Sequence, residues 1–239
     1  MKKTLIAILL MFFLASCSKD PAFIKARFSV LGDSYSAFKG YVDPDSNEVW
    51  QSFPEIGVTG PELMWWSVLA EETGWTLEKN NSYSASLICN LDHDDYAEHS
   101  FIHRMNDLGN PDVIFIFGAT NDIFDGAPLG DYIYANWTEE QLCTFRPALA
   151  YLLDHLQHLY PQAKLCLLID MDLCSGGVDV SVRDAFIESM HVIANHYHVK
   201  SIDLNLIVKQ KWHPNVVGQQ SIAKQIVDAL LKDQNYLNN

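Results

Sequence analysis

Hydrophobic and polar residues alternate in blocks along the chain, and five of the apolar blocks predict β-strands. Each block is short, rich in aliphatic and aromatic residues, and followed by small or polar residues. The predicted strands are residues 26–34, 75–80, 111–122, 163–172 and 199–204. Because the third and fourth contain the uninterrupted apolar runs "VIFIF" and "LCLLI", we expect these strands to be covered on both faces, as in the interior of a parallel sheet.

The segments between these strands have the spacing of amphipathic helices. Pro61 suits the first turn of one helix and Gly74 its end. Thr138 and Gln141 predict a capping box at the start of another, and Pro147 is expected to kink or divide it. The predicted helices are residues 61–74, 138–160, 180–197 and 213–233.

Alternation of strands and helices predicts an α/β fold. It favours a three-layer α/β/α sandwich around a parallel sheet of about five strands joined by right-handed crossovers. No internal repeat or low-complexity tract divides the sequence. We therefore predict a single domain over residues 27–239.

The first residues have the layout of a secretory signal, with Lys2 and Lys3 before an apolar stretch that is too short for a comfortable membrane span. "LASC", which ends at Cys17, resembles the bacterial lipoprotein box. An ordinary signal peptide with a chance cysteine is the alternative. We predict a signal peptide over residues 1–16, a lipidated tether over 17–26, and a location in the cell envelope. The only membrane contact would be the anchor at Cys17.

Composition narrows the range of functions. The chain has 239 residues, of which 49 % are hydrophobic, so it can form a sizeable core. A formal net charge of −14 argues against a nucleic-acid partner, which would require a basic face. The four remaining cysteines could form disulfides outside the cytoplasm, but no pairing can be assigned; they are Cys89, Cys143, Cys166 and Cys174. Cys166 is expected to be a core residue.

Polar residues follow the ends of several predicted strands. "GDS" ends the first at Ser34, "NNSYSA" follows the second, "GATND" follows the third, and "WHP" lies near the C-terminus. The carboxyl ends of parallel strands share one edge of a sheet, where ligands bind. A serine, an amide and an imidazole delivered to that edge are the groups that acyl transfer needs.

These segments resemble the conserved blocks of the SGNH (GDSL-type) hydrolase family. "LGDSYS" is similar to the first block, "FGATND" to the third and "WHPN" to the end of the fourth, and the resemblance spans roughly residues 27–232. "GDSYS", "NNSYS" and "NWTEE" further resemble Bacteroidetes-type lipoprotein members. The resemblance implies a flavodoxin-like sheet and hydrolysis of esters, often of acyl groups on carbohydrates or lipids. No metal or organic cofactor is expected.

Residue by residue, the resemblance implies that Ser34 is the nucleophile and His213 the general base. The oxyanion would be held by the backbone N–H groups of Ser34 and Ala85 and by the side-chain amide of Asn121. Ala85 departs from the family, which usually has glycine there, but it keeps the N–H group.

A second departure affects the histidine. Gln210 stands three residues before His213, where the family has aspartate. We therefore predict a Ser34–His213 dyad in which a backbone carbonyl or Gln210 orients the imidazole. Asp203 is the nearest alternative carboxylate in sequence.

Other polar and aromatic residues have structural explanations as well as functional ones. Asp33 and Asp122 are predicted to be structural. His99 and His103 have the spacing of a metal pair on a helix, but an exposed polar helix face is the preferred interpretation. Four aromatic residues near Ser34 are candidates for lining a substrate cleft, whereas Trp65 and Trp66 are expected in the core. The four candidates are Tyr35, Phe38, Tyr41 and Trp50.

The sequence thus predicts a serine esterase that removes small acyl groups, with acetyl expected, from carbohydrate or related esters. The alternative is a catalytically silent lipoprotein that keeps the fold and binds glycan. The missing aspartate is the argument for that alternative.

Overall fold

The computed structural model describes residues 24–41, 54–91, 97–174 and 177–233. Five strands form one parallel sheet in the order β2-β1-β3-β4-β5. They are β1 (Arg27–Gly32), β2 (Thr76–Ser82), β3 (Val113–Phe117), β4 (Lys164–Asp170) and β5 (Lys200–Leu204). The predicted α/β fold with a parallel five-stranded sheet is confirmed. From β1 the sheet is first extended on one side by β2 and then on the other side by β3, β4 and β5. The carboxyl ends of β1 and β3, where this switch occurs, are therefore the expected ligand site.

Seven α-helices, a small β-ribbon and three 3₁₀ turns complete the described elements. The helices are α1 (Trp65–Thr73), α2 (Phe101–Arg104), α3 (Thr120–Phe124), α4 (Glu139–Leu142), α5 (Phe145–Leu159), α6 (Val180–His196) and α7 (Val216–Lys232). Strands β6 (Lys209–Gln210) and β7 (His213–Pro214) pair antiparallel in the ribbon. Three 3₁₀ turns lie at Pro54–Ile56, Pro61–Leu63 and Ala97–His99. In the described part of the chain, no helix combines the length and apolar character needed to cross a bilayer.

The sheet is covered on both faces. Val30 of β1 points into a core with α1 and α7, whereas its neighbour Leu31 points into a core with α5 and α6. Cys166 of β4 is fully buried, as expected. Burial on both sides explains why the inner strands β3 and β4 are apolar along most of their length.

The helix boundaries differ from the predicted ones in three places. The first helix begins at Trp65, because Pro61 opens a separate 3₁₀ turn over Pro61–Leu63. Segment 138–160 divides between α4 and α5 rather than at Pro147, which lies in the first turn of α5, where no intrahelical N–H bond is lost. The capping box of Thr138 and Gln141 is present at the start of α4. The last helix begins at Val216 instead of residue 213, because His213 belongs to β7.

Cys89, Cys143, Cys166 and Cys174 are all free thiols in this structure. The predicted signal peptide, Cys17 and Trp50 lie outside the described residues.

Candidate active site

Ser34 sits in a tight turn at the carboxyl end of β1. The N–H groups of Ser36 and Ala37 both donate to the carbonyl of Asp33, at 3.1 Å each. A Cβ atom on Gly32 would lie 2.8 Å from the hydroxyl oxygens of Ser36 and Ser82, so only glycine fits at this position. The crowded strand exit therefore fixes the position from which Ser34 faces the adjoining cleft.

His213 reaches Ser34 from the far end of the chain. Its Nε2 atom lies 2.9 Å from Ser34 Oγ, and its Nδ1 atom lies 2.9 Å from the carbonyl oxygen of Lys211. A carbonyl can only accept, so Nδ1 carries the proton and Nε2 is left to accept from the serine hydroxyl.

The β6–β7 ribbon holds this histidine in place. Gln210 pairs with His213 across a two-residue turn in which Lys211 has φ +46° and Trp212 has φ +69°. Two consecutive positive φ values are the requirement of a type I′ hairpin turn, which glycine and asparagine usually meet. Two larger residues in this conformation store backbone strain next to the site.

Tyr35 ties the ribbon to the serine turn. Its hydroxyl donates to the carbonyl oxygen of Trp212 at 2.7 Å, and its ring packs edge-on against His213 with centroids 5.6 Å apart. Tyr35, which follows Ser34 in sequence, therefore holds the backbone of Trp212, which precedes His213.

Of the three groups considered for orienting the His213 imidazole, a backbone carbonyl is the one that is hydrogen-bonded to Nδ1. Gln210 lies opposite His213 in the ribbon, but the Nδ1 hydrogen bond goes to Lys211. The Asp203 carboxylate lies on β5, 3.4 Å from His191 Nε2, and makes no contact with His213. The orienting acceptor in this geometry is thus a backbone carbonyl, of a residue that the sequence pattern did not single out.

The residues proposed for the oxyanion hole lie around the same cleft. Ala85 adopts φ +65°, the left-handed conformation that glycine takes without strain. Asn121 lies in the first turn of α3, and its Nδ2 atom donates to the carbonyl of Ser86 at 2.9 Å. This bond fixes the amide relative to the loop that carries Ala85.

The cleft has a volume of about 480 Å³. It is lined by Ser34, Tyr35, Ile56, Ala85, Thr120, Asn121, Phe124, Lys211, Trp212 and His213. All the predicted serine, histidine and oxyanion residues are therefore brought to one cavity. Phe124 and Trp212 were not predicted as lining residues, although each lies beside a recognised motif.

A buried arginine links the backbone segments beneath the cleft. Arg104 donates to the Gly32 carbonyl at 3.1 Å, the Ser86 hydroxyl at 2.9 Å and the Asn81 carbonyl. It also donates to the carbonyl of His99. Burial lowers the pKa of this guanidinium to about 9. Its bonds to three of these partners connect the segments that carry Ser34 and Ala85.

Asp33 and Asp122 support the loops, as predicted. One Asp33 oxygen accepts from the N–H of Tyr35 at 2.9 Å, and Asp122 accepts from the N–H groups of Ile88 and Cys89. Burial raises the pKa of Asp33 to about 7 and that of Asp122 to about 6.

Burial also lowers the pKa of His213, and the positive charge of Lys209 acts in the same direction. The hydrogen bond to the Lys211 carbonyl opposes this shift. The neutral imidazole, which can accept a proton, is therefore favoured over a wider pH range than in a free histidine.

Of the four aromatic residues expected to line the cleft, Tyr35 does so, Phe38 and Tyr41 do not, and Trp50 lies outside the described residues. Trp65 and Trp66 are buried in the core, and Tyr41 packs on Trp66 with centroids 5.2 Å apart. Phe38 packs against the same core.

His99 and His103 contact neighbouring side chains. His99 stacks on Tyr83, with ring centroids 4.0 Å apart, and His103 Nδ1 lies 3.2 Å from the Ser100 hydroxyl. No cluster of three metal-ligating side chains occurs in the ranges that the structure describes.

A serine bonded to a histidine at the switch point of a 2-1-3-4-5 parallel sheet defines an α/β serine hydrolase. The sequence profile of the GDSL-like lipase/acylhydrolase family matches residues 26–230. The chain belongs to this family and is a serine hydrolase that acts on carboxylic esters.

Solved structures of the same fold include two proteins assigned to this family. A protein from Bacteroides ovatus ATCC 8483, assigned to the GDSL-like lipases, is 43 % identical, with a TM-score of 0.78, over 87 % of this chain and 98 % of its own. One from Bacteroides uniformis ATCC 8492 with the same assignment is 41 % identical, with a TM-score of 0.78, over 87 % of this chain and 96 % of its own. A carbohydrate acetylesterase from Sinorhizobium meliloti shares the fold at 14 % identity, with a TM-score of 0.58, over 86 % of this chain and 98 % of its own. A comparison with curated proteins gives no significant match.

Proposed function

We propose that the protein removes small acyl groups, acetyl above all, from carbohydrate esters by means of a Ser34–His213 dyad. The observation that carries this proposal is the 2.9 Å contact between Ser34 Oγ and His213 Nε2 inside a cleft that Asn121 and Ala85 also line. The catalytically silent alternative requires a disrupted site, and this pair has the geometry of a nucleophile and its base.

In the first half of the reaction, Ser34 Oγ attacks the ester carbonyl while its proton passes to His213 Nε2. The N–H groups of Ser34 and Ala85 and the amide of Asn121 receive the developing oxyanion. Collapse of the tetrahedral intermediate breaks the bond to the alcohol oxygen, which takes the proton from His213. An acyl-serine and a free alcohol result.

In the second half, His213 Nε2 takes a proton from water, and the hydroxide formed attacks the acyl-serine carbonyl. Collapse returns the proton to Ser34 Oγ and releases the carboxylic acid. Throughout the cycle, the Lys211 carbonyl accepts from Nδ1 and keeps the ring in one orientation. A carbonyl carries only a partial negative charge, so it stabilises the imidazolium less than an aspartate does. We therefore expect modest turnover.

The dimensions of the cleft favour a small acyl group on a larger alcohol. A volume of about 480 Å³ lies in the lower half of the usual range for ligand sites. It suits an acetyl group together with a sugar ring. The S. meliloti relative of the same fold is a carbohydrate acetylesterase, which is consistent with this substrate class.

We further propose that the mature protein is a lipoprotein of the cell envelope, with residues 1–16 removed and Cys17 lipidated. "LASC" at the end of the apolar stretch supports this. Mass spectrometry of the membrane fraction should find a diacylglyceryl group on Cys17, and Cys17→Ala should release the protein from that fraction. Recovery of an unmodified, secreted wild-type chain would contradict the anchor.

The activity is tested with acetyl esters of a methyl glycoside and of ethanol. Ser34→Ala should abolish hydrolysis of both while the circular dichroism spectrum stays unchanged, since only a hydroxyl is lost. Asn121→Ala should lower kcat by about 10²–10³, the usual effect of one oxyanion donor. Unchanged turnover in Ser34→Ala would reject the mechanism. A clear preference for long-chain over acetyl esters would reject the substrate class.

A further inference from the structure

Two exposed aromatic side chains stand at the mouth of the cleft. Trp212 is 52 % exposed and Phe124 is 44 % exposed, and their rings meet edge to face with centroids 5.5 Å apart. Both lie next to the proposed catalytic groups in sequence, Trp212 directly before His213 and Phe124 three residues after Asn121. Single exposed apolar side chains are common, but contiguous exposed apolar surface beside a cleft is typical of binding sites, and these two rings are in contact.

The backbone at Trp212 makes this exposure more informative. At φ +69° a non-glycine residue costs roughly 1 kcal/mol or more, whereas glycine would form the same turn without strain. The backbone carbonyl already makes the bond to Tyr35 that anchors the ribbon. The indole adds little burial in return, and its N–H makes no hydrogen bond to any residue in the described ranges. Its contribution is therefore to the surface of the cleft rather than to the fold.

A second cleft of about 390 Å³ adjoins the first. The two share Tyr35, Phe124, Lys211 and Trp212 as lining residues. Asp172, Lys209 and Lys211 also line the second cleft, and they are paired with Arg183, Asp170 and Glu55 respectively. Hydrogen-bond acceptors and donors thus flank an aromatic surface, which is the chemistry that recognises a polyhydroxylated ring.

The reaction itself specifies which part of the substrate passes Trp212. The leaving alcohol must take its proton from His213 Nε2, so its oxygen lies within hydrogen-bond distance of that ring. The body of the alcohol then extends past the residue that adjoins His213. We propose that Trp212 and Phe124 form the platform on which the sugar ring of the leaving alcohol stacks, with further sugar hydroxyls reaching the second cleft. This inference rests on the proposed carbohydrate esterase activity and assigns its alcohol-binding site.

The test compares two acetyl esters in each variant, an acetylated methyl glycoside and ethyl acetate. Ethanol is too small a leaving group to cover the platform. Trp212→Ala should lower the ratio of kcat/KM for the sugar ester to that for ethyl acetate about tenfold, mainly through KM, because one aromatic contact is worth about 1.4 kcal/mol. Phe124→Ala should lower the ratio less, and Trp212→Phe should restore most of it.

Tyr132→Ala is the matched control, because Tyr132 is an exposed aromatic that contacts Arg146 and Tyr134 and lines neither cleft. Its ratio should equal that of the wild type. Equal losses on both esters in Trp212→Ala would overturn the platform in favour of a structural role through His213. Wild-type kcat/KM values for both esters in Trp212→Ala would overturn it too.

Binding provides a readout independent of turnover. In the Ser34→Ala background, titration calorimetry with the acetylated methyl glycoside should show binding that Trp212→Phe retains and Trp212→Ala loses. If Trp212→Ala fails to fold, the same comparison is made with Phe124→Ala. Hydrolysis of ethyl acetate without any binding or hydrolysis of the sugar ester would reject the platform and leave the esterase mechanism standing. If the wild type hydrolyses neither the sugar ester nor ethyl acetate, the proposed function itself is rejected.

Discussion

His213 donates its Nδ1 proton to the carbonyl of Lys211, only two residues before it, at 2.9 Å. A strained two-residue turn thus supplies the orienting acceptor that a carboxylate three residues upstream would otherwise provide. The orientation of the imidazole is consequently set by local backbone conformation. This makes the conformation of residues 209–214 a determinant of the proposed activity.

Substitutions at Gln210 test whether the backbone alone orients the imidazole of His213. Gln210 faces His213 across the ribbon, so their side chains are neighbours on the same face. Gln210→Ala should change kcat/KM less than about threefold, because the Nδ1 bond does not involve the amide. Gln210→Asp should raise kcat, since a carboxylate about 5 Å away would stabilise the imidazolium. A loss of tenfold or more in Gln210→Ala would show that the amide orients the ring in solution.

The pH dependence of hydrolysis should reflect the lowered pKa of His213. The base works when neutral, so kcat/KM should rise with pH through a single ionisation below about 6.5 and then remain level. Asp33, whose pKa is raised to about 7, is the competing source of such a limb. In Asp33→Asn the limb should stay at the same pH. Its disappearance would assign the ionisation to Asp33.

Ala85 tests the oxyanion loop. Ala85→Gly should keep kcat within about twofold, because the backbone N–H is the group used, and should change the free energy of unfolding by at most about 1 kcal/mol. Ala85→Val should lower both stability and kcat, since a β-branched residue at φ +65° is strongly disfavoured. Urea denaturation and steady-state kinetics measure the two effects. Full activity in Ala85→Val would remove this N–H group from the oxyanion hole.

Arg104 is expected to position the site without touching the substrate. Lysine cannot replace a guanidinium that donates to Gly32, Asn81 and Ser86 at once. Arg104→Lys should therefore lower stability and also lower kcat by about tenfold or more with a smaller change in KM, because displaced oxyanion donors act on the transition state.

Arg146→Lys is the control for that variant. Arg146 is a half-buried arginine that donates to Gly130 and Ser189 on the α5–α6 side of the sheet. This variant should lose stability without losing kcat. Equal kinetic behaviour of the two lysine variants would refute the positioning role.

The sheet could be predicted because its inner strands are short, uninterrupted apolar runs. "VIFIF" is apolar at every position, since both faces of β3 are buried. Such a run can be recognised in the sequence without knowing which elements pack against it. Ser34, Asn121 and His213 could be named for a related reason: each belongs to a short motif at a strand or helix end.

Groups that act through the backbone could not be predicted in the same way. The Lys211 carbonyl is available because of a backbone conformation, and every residue has a carbonyl. Arg104 contacts residues 5 to 72 positions away in sequence, so only the folded chain reveals its role. Likewise, the division of segment 138–160 depends on the turn at Cys143 and Thr144, which carries no proline or glycine.

The bond between Tyr35 and the Trp212 carbonyl joins residues 177 positions apart. The ribosome makes Ser34 long before the hairpin that carries His213, and a single domain folds as one unit. A growing polypeptide therefore has Ser34 without its proposed base until His213 is made and folded beside it, so we expect the incomplete domain to be unable to cleave esters. On the proposed mechanism, hydrolytic competence arises only when the β6–β7 ribbon docks on Tyr35, which couples the onset of activity to folding of the whole domain.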